Sequence, residues 1–252
     1  MTLLAVERIK LFTTRSPLWC TLVALVVFVG FAALVTGVDS QNDPSIAATQ
    51  FGYGFGIVVI MVMATLAITT EYRFGTIKAT FQAIPNRTAA LLAKTTVVSV
   101  FAGLIGLVAA FGSVGIASLI KPSADLTLNT AYEWRAVAGV SLIFMFAAVI
   151  SVAVGVMVRH SAGAVSIVLI YSQLVESLVT LIPNVGADIQ KWMPFYVANK
   201  FLTGDPDITN QGLSGPPPSN ATLSPWAALA YFGGFAILML IISLVVANKR
   251  DA

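Results

Sequence analysis

Ala136–Val158 reads AVAGVSLIFMFAAVISVAVGVMV, without one charged side chain. A membrane-spanning helix needs about 20 mostly apolar residues. Five more stretches answer that description: Leu18–Gly37, Gly52–Thr70, Leu91–Ile120, Gly163–Ile182 and Trp226–Ala247. The predicted fold is therefore an all-α membrane protein, a single transmembrane domain over residues 1–252 with six transmembrane helices. Composition agrees. The chain is 58% hydrophobic and 10% charged, against about 25% charged in a soluble domain, so lipid rather than water must face much of its surface. Leu18–Val38 follows Met1–Thr14 too late for a signal peptide and is expected to be a retained helix.

Six spans put both termini on one side, and the basic residues say which. Arg8, Lys10, Arg15, Arg73, Lys78, Arg87, Lys94, Arg159, Lys249 and Arg250 fall on the terminal side. Lys121, Arg135, Lys191 and Lys200 fall on the other, which completes the 14 Lys and Arg of the chain. Asp39, Asp43, Asp125, Glu133, Asp188, Asp205 and Asp207 all lie opposite the termini. By the positive-inside rule both termini are expected to be cytoplasmic. Lys94, at the start of the third span, is expected to snorkel from the interface toward water. The net charge of +3 gives no reason to expect a nucleic-acid partner. The single cysteine, Cys20, allows no intrachain disulfide, and no metal site is expected.

Three pieces lie outside the spans. Residues 1–17 mix apolar and charged side chains before Ser16-Pro17, which would start the first span as N-cap and first helical residue. This piece either lies along the inner membrane surface or frays. Residues 71–87 form the connection between spans two and three. Phe74, Ile77, Phe81 and Ile84 recur at steps of 3, 4 and 3, which predicts one apolar face of a short, basic amphipathic helix, ended by Pro85. Residues 183–225 form a long outer segment. Asp188–Phe201 is expected to dip back toward the interface, with Trp192 and Tyr196 at headgroup level. Gly204–Ser219, with Pro206 and Pro216-Pro217-Pro218, is expected to be an irregular extracytoplasmic loop.

The connection reads Glu71-Tyr72-Arg73-Phe74-Gly75-Thr76, then Pro85-Asn86-Arg87, then Lys94. This resembles the pattern E-x-x-x-G-T…P-x-R…K of ABC-2 type permeases, the membrane subunits of ATP-binding-cassette exporters. It also sits where that family has it, after the second of six spans. The short loop Arg159-His160-Ser161 and the long segment after span five look similar as well. The resemblance implies that the amphipathic helix is a coupling helix that docks on a nucleotide-binding subunit, with Glu71, Arg73, Phe74, Gly75, Thr76, Ile77, Phe81, Ile84 and Arg87 as docking residues. The four apolar side chains could face that partner or the protein's own membrane core. Glu71 would sit at the helix N-terminus, where the dipole favours a carboxylate. The resemblance further implies a second copy or a related permease, a cell-membrane location in a prokaryote, and no cofactor in this chain. ATP and Mg would be held by the partner ATPase subunit. No Gly-Lys dipeptide occurs, so the chain lacks a P-loop and is not expected to be an enzyme.

Glu176, in the fifth span, is a functional candidate because an ionisable group inside a membrane is costly. With Gln173 and Tyr171 it could line a translocation pathway, or it could sit near the outer interface. Gly212-Leu213-Ser214-Gly215 matches the G-x-S-G signature of intramembrane serine proteases. However, its only possible base, His160, falls on the opposite side, and a nucleophile and base must be within hydrogen-bond reach. His160 is expected to be a helix C-terminal cation. Asn220-Ala221-Thr222 is a formal glycosylation sequon, meaningful only in a eukaryotic secretory context. Gly52 and Gly56 form G-x-x-x-G, which serves either a subunit interface or internal packing.

The leading expectation is a permease moving an amphipathic, drug-like or lipid-like cargo with ATP hydrolysed elsewhere. The alternatives are a non-transporting membrane scaffold, or an ion-coupled secondary transporter for which Glu176 alone is thin support.

Overall fold

The computed structural model describes residues 3–38, 43–84, 86–204 and 216–249. Pro85, Pro206, the Gly212–Gly215 motif, Asp39, Asp205, Asp207 and Arg250 lie outside them. The helices run in order α1 (Leu3–Thr13), α2 (Arg15–Val38), α3 (Ile46–Thr49), α4 (Tyr53–Arg73), α5 (Thr76–Ala83), α6 (Arg87–Ile120), α7 (Ala131–Val158) and α8 (Ser161–Leu169). A π-helical turn (Ile170–Val175), α9 (Glu176–Leu178) and a 3-10 turn (Val179–Leu181) continue α8. Then come α10 (Gly186–Gln190), α11 (Pro194–Thr203) and α12 (Pro225–Lys249). No strand occurs among the described residues. Among the described residues, six helical units are long and apolar enough to cross a membrane: Arg15–Val38, Ile46–Arg73, Arg87–Ile120, Ala131–Val158, Ser161–Leu181 and Pro225–Lys249.

α7 is the axis of the bundle. It packs against α4, α6, α8, α11 and α12, and 67% of its apolar stretch is buried, against 17% for α2 and 22% for α12. Apolar burial from water does not hold helices together in lipid, so close van der Waals packing must. Glycines supply it. Phe28 of α2, fully buried, lies on Gly52, the N-cap of α4, and on Gly56 within it, and a Cβ at Gly52 would collide with the Phe28 backbone carbonyl. The G-x-x-x-G pair therefore packs within the chain. Phe144 of α7 fills the space left by Gly106 of α6 and meets the Phe28 ring at 6.2 Å.

Capping explains where several helices begin. The Thr130 side chain accepts the Glu133 N–H at the start of α7, and Glu133 returns a bond to the Thr130 N–H at 2.9 Å, a capping box. Asn86 accepts the Ala89 N–H at the start of α6. α2 starts at Arg15, so Ser16 and Pro17 are its second and third residues, two positions further in than the N-cap and first-residue places expected, and Pro17 is tolerated there because its N–H would be unpaired anyway. At 34 residues α6 is about 51 Å long, longer than the ~30 Å hydrocarbon core. Asn248 of α12 bonds Thr88 of α6 at 3.0 Å. The ends carrying α1, α5 and the last turn of α12 thus gather at one face, here termed the basic end.

Candidate functional site

Residues 71–87 do not form one helix. Glu71 and Arg73 belong to the last turn of α4, Phe74 caps it, and Arg87 opens α6. The break is Gly75, which adopts φ +70°, a left-handed conformation open to glycine and strained for L side chains. α5 then runs only from Thr76 to Ala83. The step of 3 from Phe74 to Ile77 therefore crosses a turn, and the two side chains diverge. Phe74 is 72% exposed beneath the Arg73 guanidinium, 5.6 Å from its ring. Ile77 is buried in the core, and half-buried Phe81 packs against it with Arg87 over its ring at 5.5 Å. Ile84 ends α5 half-buried. Arg73, Phe74, Gly75, Thr76 and Lys78 face outward.

Glu71 is at a helix C-terminus, not the N-terminus expected from the sequence. The dipole there disfavours a carboxylate, and a cation compensates. Lys94 Nζ lies 2.8 Å from Glu71 Oε1 and 2.6 Å from Glu7 Oε2 of α1. Lys94 does not snorkel. Its side chain is 8% exposed, with Glu7 at 4% and Glu71 at 13%. Burial of this kind is tolerated because both carboxylates share the ammonium. Lys10 adds a second cation, donating to Glu7 Oε1 at 2.7 Å and to Thr80 Oγ1 of α5 at 3.0 Å, with Glu71 Oε1 at 3.6 Å. Four charges that sum to zero thus tie α1, α4, α5 and α6 together. They border a cavity of about 600 Å³ walled by Leu11, Met63, Leu66 and Val98.

This network makes α1 an ordered helix packed on α6 rather than a frayed end. Glu7 and Lys10 were missed as site residues. A signal was present, since Glu7 and Glu71 are acids among the basic residues of the terminal side.

At the other end of the bundle, Glu176 is buried. Its Oε1 accepts the Phe195 N–H at 3.0 Å and its Oε2 the Tyr196 N–H at 2.7 Å. These are free N–H groups in the first turn of α11, whose own N-cap, Met193, offers no side-chain acceptor. Glu176 therefore caps a helix that follows it in sequence. Tyr171 leans on the same helix, its ring 6.4 Å from Phe195 and its hydroxyl toward Met193 Sδ. Gln173 is exposed on the outside of the fifth span. The three candidate pathway residues do not converge on one point. α11 packs into the bundle, with Val197, Ala198, Phe201 and Leu202 buried and the helix seated against α7 and α12. Arg135 of α7 donates to the Gly204 carbonyl at its C-terminus. The described part of the proline-rich loop is pinned to α11, with Asn199 donating to the Pro217 carbonyl at 2.6 Å and Ser219 to the Tyr196 carbonyl at 2.9 Å.

His160 is not a C-terminal cation. Its Nδ1 accepts the Gly163 N–H at 3.1 Å and caps the start of α8. Arg159, at φ 58°, ends α7 in the left-handed region and stacks over Tyr72 at 5.2 Å.

These features define a multi-pass α-helical membrane protein whose basic end joins a short surface helix to three others through buried charge. The family model described as ABC-2 family transporter protein matches residues 3–175, from α1 through the π-helical turn. The chain belongs to that family, the membrane component of ATP-binding-cassette transporters, and membership implies an ABC ATPase partner in general. No curated protein matches the chain.

Proposed function

We propose that this chain is the permease subunit of an ABC exporter in a prokaryotic inner membrane. Two copies, or this chain and a related one, pair around a pathway for an amphipathic, drug-like or lipid-like cargo. A separate subunit hydrolyses ATP, with its Mg, and docks at the basic end, which faces the cytoplasm by its charge. The docking surface is the outward face of Arg73, Phe74, Gly75, Thr76 and Lys78, joined by Glu71, Ile77, Phe81, Ile84 and Arg87, which hold that face in place from beneath. ATP shifts the membrane subunit only if its partner binds two conformations unequally, so α5 must be linked to the spans. The observation that carries the reading is the Lys10 ammonium, which bonds Thr80 of α5 and Glu7 and lies near Glu71. Gln173, exposed on the fifth span, remains the pathway residue best placed for a subunit seam. Glu176 and Tyr171 act there by holding α11. A carboxylate already accepting two backbone N–H groups is a weak basis for ion coupling.

The test is co-purification of an ATPase subunit with the full chain from its native host, wild type beside Phe74→Asp. Phe74 is exposed, so the variant keeps its core. Retention by the wild type and loss by the variant is expected. Equal retention by both removes the assigned surface, and capture by neither in several mild detergents removes the exporter reading.

A further inference from the structure

On the side of α1 away from the charge network runs a second cavity, of about 440 Å³, between α1 and α6. Its walls include Leu4, Arg8, Phe12, Val100, Phe101 and Leu104. Phe12 meets Phe101 edge-to-face at 5.1 Å, which seats α1 on α6 within the groove. Val100 and Leu104 are 46% and 55% exposed and lie within the third span. Leu104 is about 15 Å further along α6 than Lys94, so the groove leads from the bundle end into the hydrocarbon. One charged side chain lines it, Arg8. Arg8 is exposed and has no acidic partner among the described residues, in contrast to Lys10 and Lys94.

We propose that this groove binds an anionic phospholipid, its phosphate on the Arg8 guanidinium and an acyl chain along Val100 and Leu104. The chemistry selects such an occupant. The walls need an apolar chain that continues into the bilayer, and the mouth needs an acceptor for a planar guanidinium, which phosphate matches with paired hydrogen bonds. A net negative headgroup is favoured over a zwitterionic one, because an ammonium on the lipid would offset the attraction at a site with no acid of its own. α1 mixes apolar and charged side chains and keeps part of its apolar surface uncovered. It presents Leu4, Ile9 and Phe12 half-exposed, and the lipid completes its seat on α6. The site does not depend on the ATPase partner.

The experiment is native mass spectrometry of the full chain in detergent, titrated with phosphatidylglycerol and, separately, phosphatidylcholine. Wild type is expected to retain one phosphatidylglycerol per chain in preference to phosphatidylcholine. Arg8→Ala should weaken that retention about fivefold, the effect of one basic residue at a lipid surface, with an unchanged Tm as the folding control. Arg15→Ala, also exposed but lining the other cavity, should leave it intact. Val100→Trp should abolish retention by filling the groove while Arg8 remains. Equal retention of the two lipids, no effect of Arg8→Ala, or an equal effect of Arg15→Ala overturns the site. The last result would reduce it to general surface charge.

Discussion

Lys94→Met tests whether buried charge holds the basic end together. Methionine keeps the length and apolar stem of lysine and removes the ammonium. The Glu7 and Glu71 side chains are 4% and 13% exposed, so neither can recover its solvation by turning to water. Lys10 remains 2.7 Å from Glu7, but its side chain is 34% exposed, and an ion pair so placed contributes little. Removing one partner of a buried pair costs about 3–5 kcal/mol. On the scale of domains this size, that lowers Tm by roughly 6–20 °C. The assay is thermal unfolding of the full chain in one detergent, read by intrinsic fluorescence. Glu71→Gln and the double variant complete a cycle. Residues in direct contact couple by about 0.5–3 kcal/mol, so the double variant should lose less than the sum of the two single losses. A Tm within 2 °C of wild type for Lys94→Met, or strict additivity, would refute the argument and mean that water reaches these groups.

Glu176→Gln keeps the side-chain shape but offers one acceptor oxygen where two N–H groups are held. It should cost about 1–3 kcal/mol and speed deuterium exchange at Phe195 and Tyr196 more than elsewhere in α11. Gly52→Ala places a methyl group against the Phe28 backbone carbonyl, which cannot move aside as a side-chain tip would. A loss of about 1–3 kcal/mol from overpacking should appear as a lower Tm, with Gly54→Ala, which meets nothing within 4 Å, near neutral. Thr80→Val removes the acceptor for Lys10 on α5 at a cost of about 1 kcal/mol. It should preserve ATPase co-purification while lowering cargo-stimulated ATP hydrolysis in reconstituted vesicles, and unchanged stimulation would break the proposed link.

The spans were legible because each needs only length and the absence of charge, and those are local properties. α5 was legible in place but not in extent. Periodicity from Phe74 to Ile84 looks continuous in sequence, and only the backbone of Gly75 separates Phe74 from Ile77. Glu176 stood out as an ionisable residue in an apolar run. Its partners did not, because backbone N–H groups 19 and 20 residues away leave no side-chain signature. Lys94 was misjudged for a related reason. Near a span end, snorkelling is the ordinary expectation, and its reversal required two carboxylates from separate segments to arrive at one point. His160 turned out to be a cap because Arg159 ends α7 in the left-handed region, so the next residue starts a helix instead of finishing one.

The composition of the basic end then raises a physical question, because a neutral cluster of four buried or half-buried charges is a poor source of stability. Replacing such clusters by apolar residues of similar volume is often neutral or stabilising by about 1–4 kcal/mol. Apolar contacts, however, tolerate sliding of one helix along another. The ion pairs do not, because a shift of one helical turn, about 5.4 Å along the axis, would carry the 2.6 Å and 2.8 Å contacts of Lys94 well beyond hydrogen-bond length and leave buried charge unpaired. The network is therefore suited to fixing register among the ends of α1, α4 and α6, with Lys10 extending that register to α5 by one bond. Under the proposed docking, a surface helix held this way would pass displacement to three others together rather than absorb it locally, which an apolar seat of equal stability would not supply.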